Sequence, residues 1–295
     1  MNMPRLLLAG LLATAAAGVW AQRFRSGFGG DPYAPEFETS LTARGVPSHS
    51  QDTPTWTNPP AFESDTFTFA RVRYTRRSDA WWGGGYWWSD SPDSDLNLSW
   101  RLQQVTSVKV NPEGRYLHLT DKELLDHPWV YIVEPGRLRL EDTELEPLRR
   151  YLSNGGFLMA DDFWGQNQWG NFEREMKRVL PDRTFVELPM EHPIFHCVFD
   201  LKGPVGKLQT MNRTYSKKAQ DTGVTWESHD GEECKDMHVL ALLDAKQRIM
   251  VLATHNCDNG DGWEREGEDH YFFQEFSEKR AYPLDINIIF YAMTH

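Results

Sequence analysis

Apolar and polar positions along this chain fall into short bursts that switch repeatedly between two periods. Thr66-Phe-Thr-Phe-Ala-Arg-Val-Arg-Tyr74 alternates with period two and is flanked by turn-rich sequence, which predicts a strand. Leu98, Leu102 and Val105 recur at i, i+4, i+7 and predict one buried helical face. Short extended pieces are expected at Ser107 to Val110 and at Tyr116 to Leu119. Trp129-Val-Tyr-Ile-Val133 is a continuous apolar run suited to a central strand buried on both faces. Thr120-x-x-Glu123 and Thr143-x-x-Glu146 have capping-box spacing, and Leu145, Leu148 and Leu152 form the inner face of the second helix. From Leu148 to Gly165 the pattern reads as a helix end, a Gly155-Gly156 turn, a short buried strand and a strand end carrying Asp161 and Asp162. A helix near 168–179, a strand near 185–188, paired strands within Val239 to Ala253 and a closing helix from Leu284 to Met293 complete the series. Such alternation predicts an α/β fold, a three-layer sandwich whose mostly parallel sheet carries helices on both faces.

The N-terminus departs from this pattern. Arg5 precedes an apolar run from Leu6 to Val19, and Val19-Trp-Ala21 has the small-x-small form of a cleavage site, so residues 1–21 read as a signal peptide. The run is short for a bilayer span and polar sequence follows it, so no stable membrane span is expected after cleavage. Residues 22–64 lack a sustained period and read as a flexible linker, leaving 65–295 as a single α/β domain. Export places the protein in the periplasm or outside the cell. The formal charge is -12, and loss of Arg5 with the leader makes it -13, which disfavours nucleic acid as a partner. Of the three cysteines, Cys197 sits in an apolar run and reads as a buried thiol, while Cys234 and Cys257 lie in more polar surroundings where pairing is open.

The ordered blocks Phe69-Ala-Arg-Val-Arg-Tyr74, Trp87-Trp-Ser-Asp-Ser-Pro-Asp-Ser-Asp-Leu-Asn97, Val133-Glu-Pro-Gly136, Gly155 to Gly165, Asn171 to Met176, His192-Pro-Ile-Phe-His196, Asp258-Asn-Gly-Asp-Gly-Trp263 and Tyr291-Ala-Met-Thr-His295 carry a resemblance. From Phe67 to His295 the chain resembles the bacterial family of domain of unknown function 4159. The resemblance implies a sandwich similar to class I glutamine amidotransferases and ThuA-like proteins, with no assigned activity. It also implies partnership with envelope proteins associated with MoxR-type ATPases and von Willebrand A domain proteins. In the amidotransferase fold the strand-end elbow carries a Cys nucleophile. Here Asp161-Asp162 stands at that place, and a carboxylate does not replace thiolate acyl-transfer chemistry, so glutamine hydrolysis is rejected.

Three constellations offer chemistry. Asp161, Asp162, Glu134 and His192 are the candidate catalytic groups, because strand carboxyl ends gather ligands in open α/β sheets and paired carboxylates either share a proton or hold a cation. Asp161, Asp162, Asp258 and Asp261 are the candidate ligands of a divalent cation, although Asp258-Asn-Gly-Asp-Gly-Trp-Glu264 lacks strict Ca²⁺-loop spacing and is more simply a turn. Asp90-x-x-Asp93-x-Asp95-x-Asn97 offers alternating oxygens, with helix capping as the favoured account. Trp81, Trp82, Trp87, Trp88, Trp164 and Trp263 lie in expected loops, and with Asp90 and Asp93 they suggest a surface for a glycan or small molecule, or rings that pack on one another. A non-catalytic binding or scaffold protein of the envelope is the expected function. A metal- or carboxylate-dependent hydrolase of glycans or related polymers, and a structural subunit of an envelope complex, are the alternatives.

Overall fold

The computed structural model describes residues 34–50, 52–62, 65–77 and 86–295. Two compact units divide at Ser40. The first contributes the short helix α1 (Ala34–Thr39), and the second, from Leu41 onward, holds the sheet.

A seven-stranded sheet in the order β3-β1-β4-β6-β9-β8-β7 organises the second unit. Its strands are β1 (Ala70–Arg73), β3 (Arg115–His118), β4 (Trp129–Val133), β6 (Phe157–Asp161), β7 (Val186–Glu187), β8 (His238–Leu243) and β9 (Ile249–His255). Pairing is parallel from β3 through β9 and antiparallel across β9, β8 and β7, so the α/β class with a mostly parallel sheet holds. A small antiparallel ribbon joins β2 (Thr75–Arg76) to β5 (Leu138–Arg139). The helices that matter for the site are α2 (Asp93–Val105), α3 (Asp142–Ser153), α4 (Gly165–Val179) and α6 (Asn259–Glu264), with α5 (Ser216–Thr222) between them. The short α7 (His270–Phe272) leads through a π-helical stretch, Phe273–Ala281, into α8 (Tyr282–Thr294). Among the described residues no helix is long and apolar enough to cross a membrane.

The long apolar run behaves as read: β4 is buried along its whole length, and Trp129, Tyr131, Phe67, Phe69 and Trp263 interlock around it. The alternating strand differs in one respect. Flanked on both sides by neighbours, β1 is buried at all four positions, including Arg71 and Arg73. Arg71 is accommodated by a paired carboxylate, and Arg73 lies over the rings of Trp87 and Tyr116, at 4.9 and 5.7 Å.

The extended piece expected at Ser107 to Val110 is not a strand. Val110 makes one isolated bridge to Phe67, while Gln103 Oε1 accepts from its N–H and Trp56 and Asn58 donate to its carbonyl. Side chains there take the groups that a ladder would need. Capping also shifts by two residues: Glu141 and Glu144, rather than Thr143 and Glu146, form the box that opens α3.

Part of the stretch expected to be a linker is tied down. Arg44 donates to the Pro112 and Pro54 carbonyls, and Ser48, His49 and Ser50 donate to Asp93. From Leu41 to Phe62 the described chain is therefore held against the sheet domain. None of the three cysteines forms a disulfide. Cys234 and Cys257 are buried, and Cys197, expected to be buried, is partly exposed.

Candidate metal centre

Because β1, β4, β6 and β9 are adjacent and parallel, their carboxyl ends arrive at one edge of the sheet. The chain order reverses between β1 and β4, the switch point at which a crevice opens in such sheets. Each strand end delivers an acidic residue there. Asp90 comes from the segment after β1 and Glu134 directly follows β4. Asp162 follows β6, and Asp258 lies three residues past β9. The short α6 then adds Asp261 and Glu264 at i+3 and i+6 from Asp258, on one helical face.

The backbone at these positions is unusual. Asp90, Glu134, Asp162 and Asn256 all adopt left-handed conformations, with φ of 63, 47, 57 and 58°. Non-glycine residues rarely do so, and each such residue costs on the order of 1 kcal/mol. Long-range hydrogen bonds hold the turns in place. Glu134 N–H donates to the Asp161 carbonyl at 2.9 Å, Asp162 N–H to the Cys257 carbonyl at 3.0 Å, and Asn256 N–H to the Phe163 carbonyl at 2.9 Å.

The result is two overlapping carboxylate groups. Oxygens of Asp90, Asp261 and Glu264 lie within 4.8 Å of one another, and so do oxygens of Asp90, Asp162 and Asp258. Asp258, Asp261 and Glu264 are buried, whereas Asp90 and Asp162 are half-buried on the open side. Among the described residues Oδ2 of Asp90 is enclosed and has no hydrogen-bond partner. It rests directly over Gly260, where a Cβ would come within 2.2 Å of it. Gly260→Ala is therefore expected to displace the Asp90 carboxyl and weaken divalent-cation binding at least tenfold by calorimetry, while leaving the far-UV circular dichroism unchanged.

Electrostatics agree with the geometry. Two like charges about 5 Å apart repel by about 3 kcal/mol at an effective dielectric of about 20. Burial, followed by the charges of Asp261 and Glu264, pushes Asp90 well above the ordinary carboxyl range. Burial also raises Asp162 and Asp258 strongly, followed respectively by the charges of Glu134 and of Asp162. Asp261 is raised by burial and partly restored by hydrogen bonds from its neighbours. Glu264 is pushed up to about 7 by burial and by Asp261, even though Arg265 Nε donates to its Oε2 at 2.7 Å. Glu227, buried nearby and accepting from Asn212 N–H at 2.7 Å, is also raised to about 7, chiefly by burial. Such a set of carboxyls either retains protons or binds cations.

Four expected site residues play other parts. Asp161 is wholly buried and accepts from Thr254 Oγ1, the Asn259 backbone N–H, Asn259 Nδ2 and the Gly260 N–H at 2.6, 2.9, 3.0 and 3.2 Å. It anchors the start of α6 and belongs to neither carboxylate group. Asp161 ends β6, whereas Asp162 leaves the strand in a left-handed turn, so the two side chains enter different surroundings. Glu134 stands at the rim and accepts from Tyr86 N–H and Ser89 Oγ, at 2.8 and 2.7 Å, which positions the segment carrying Asp90. His192 accepts from Ile194 N–H at 3.2 Å and packs its ring on Tyr291, away from the acidic cluster. Asp93 and Asp95 lie inside the first turn of α2, beside its positive end, rather than at the N-cap, which is Pro92. Asp93 binds residues 48–50 and Asp95 pairs with Arg71.

The tryptophan surface is corrected as well. Trp87, Trp164 and Trp263 are buried: Trp87 packs edge-on against Tyr116, Trp164 Nε1 donates to Asp162 Oδ1 at 3.0 Å, and Trp263 packs on Tyr131. Trp88 is stacked on Tyr86. Trp81 and Trp82 lie outside the described residues. Loop residues here are packed down onto strand ends, so loop membership did not mean exposure. Glu264 and Glu227 were missed; for Glu264 the signal was the i, i+3, i+6 spacing from Asp258, legible once the segment is read as helical rather than as a turn.

The fold and site thus define an α/β protein with carboxylates gathered at the carboxyl edge of a parallel sheet, in groups able to hold a metal ion. The chain belongs to the family described as domain of unknown function (DUF4159), whose pattern matches residues 68–293. No curated protein matches it.

Proposed function

We propose that this is an exported envelope protein that binds a divalent cation at its sheet edge and recognises an oxygen-rich ligand through that cation. One observation carries the reading: acidic residues from three separated stretches of chain meet in two overlapping groups, with the oxygens of each group within 4.8 Å of one another. A hard cation such as Ca²⁺, Mg²⁺ or Mn²⁺ takes oxygen ligands of this kind and would offset the repulsion among them. The exposed side, where Asp90 and Asp162 stand, leaves positions for water or for an oxygen of a bound molecule. Ring stacking on a glycan loses its support, because Trp87, Trp164 and Trp263 are committed to packing. The left-handed turn at Asp162 supports the likeness to amidotransferase elbows, while the absence of Cys at that position keeps glutamine hydrolysis out of the reading.

Removing cations with a chelator and adding back Ca²⁺, Mg²⁺ or Mn²⁺ tests the proposal. A ligand at about a hundred times its Kd stabilises by about 2.7 kcal/mol. For a domain of this size that corresponds to roughly 5–10 °C in Tm. Asp258→Asn is expected to remove most of the shift. Identical melting curves with and without each cation would sink the proposal.

A further inference from the structure

We propose that the pocket holds two divalent cations, bridged by the carboxylate of Asp90. This rests on the cation-binding reading above and adds a stoichiometry and a bridging residue to it.

Two oxygens bound to one ion can be separated by no more than twice the metal–oxygen distance, about 4.8 Å for Ca²⁺. The carboxylates meet that limit as two triads rather than as one set of five. Asp162 and Asp258 belong to one triad, Asp261 and Glu264 to the other, and Asp90 alone belongs to both. A single ion beside Asp162 and Asp258 leaves Asp261 and Glu264 with Arg265 as their close counter-charge, and one beside Asp261 and Glu264 leaves the repulsion between Asp162 and Asp258 in place. One divalent ion leaves three of the five negative charges uncompensated. Two ions leave one, and Arg265, at 2.7 Å from Glu264, supplies a charge to match it.

A second, independent observation concerns Asp90 itself. Its Oδ2 is enclosed and accepts no hydrogen bond, in a place where burying an unpaired carboxylate oxygen is costly. The segment bearing it is fixed from two sides. Arg71 donates to the Trp87 and Ser89 carbonyls at 3.1 and 2.9 Å, and Ser89 Oγ donates to Glu134. Gly260 is bare beneath that oxygen, so the backbone of α6 makes room for it. A carboxylate fixed in this way and shared by both triads can bridge a two-metal site, whose ions typically stand about 3.5–4 Å apart. Such a pair clamps an oxyanion, a phosphate or a carboxylate, between the two ions, which names the ligand class for the open side.

Mn²⁺ is the probe. Equilibrium dialysis of the full chain is expected to give two Mn²⁺ per molecule, and the electron paramagnetic resonance spectrum is expected to show an exchange-coupled multiline signal. Glu264→Gln is expected to reduce the count to one, with an uncoupled six-line signal. Asp90→Asn is expected to abolish the coupling. Two uncoupled ions, or a single ion in the wild-type protein, would overturn the bridge and leave the single-cation reading intact. No bound Mn²⁺, Ca²⁺ or Mg²⁺ would overturn both. The wild-type measurements decide between these outcomes even if a variant fails to fold.

Discussion

Asp95→Ala is expected to destabilise the protein by about 3–5 kcal/mol, the penalty for leaving a buried charge without its partner. Arg71 is wholly enclosed in β1, and its guanidinium meets Asp95 at 3.2, 3.1 and 2.5 Å, with Ser94 Oγ at 3.1 Å. Its remaining hydrogen bonds hold the Trp87 and Ser89 carbonyls. The ion pair therefore links the sheet to the segment that presents Asp90. Loss of Asp95 strands the guanidinium and loosens that segment, so cation affinity is expected to fall together with stability. Replacing both partners, Arg71→Met with Asp95→Leu, removes the stranded charge and is expected to recover most of the stability. Cation affinity is expected to stay low in the double variant, because no donor then holds the two carbonyls. Urea denaturation and calorimetric titration of the single and double variants separate the two effects. A double variant with full affinity would show that the ion pair has no part in shaping the site.

In chelator, stability is expected to fall as pH rises from about 4.5, with about 2 kcal/mol of the loss between pH 6.5 and 8. The sign follows from which state holds more protons. Glu264 and Glu227 titrate at about 7 in the folded chain, against about 4.3 when unfolded. Between those values the folded state carries the extra protons. Their contribution is complete below about pH 4 and is lost as pH rises through 7. Asp161, at about 6, adds to the loss from the acidic side. His255 works in the opposite direction: burial lowers it to about 4, so its contribution is lost as pH falls from about 6.5 toward 4. One histidine offsets one carboxyl while three carboxyls act against it, so the net trend stays downward. Saturating Ca²⁺ or Mn²⁺ is expected to flatten this decline, because an ion-bound carboxylate is already deprotonated. Stability that rises from pH 6.5 to 8 in chelator would mean that the cluster's charges are compensated by the protein itself.

Periodicity made most of the elements legible, as in the apolar run of β4 and the Gly155-Gly156 turn leading into β6. Those signals are local, carried by neighbouring residues that share a face. The strand end at Asp162 was legible for the same reason. What failed were inferences about orientation. Asp161 was taken together with Asp162, yet one turns into the core and the other toward the crevice. His192 stands beside the same kind of Pro-marked turn that the chain suggested, but that turn packs on Tyr291 in α8. The loop tryptophans were read as a surface or as rings packed on one another, and the described ones pack on neighbouring groups.

The strand-end segment from Gly155 to Gly165 shows where the division falls. The chain by itself determined a short buried strand there, a turn after it and an acidic residue at the turn, because backbone preference and burial period are set within a few residues. Only the tertiary structure decided that Asp162 would face Asp90 and Asp258, residues 72 and 96 positions away in the chain. That meeting depends on which strands lie side by side and in which direction they run. Parallel pairing of β1, β4, β6 and β9 brings four distant turns to one edge, and the charge density created there is a property of the assembled sheet.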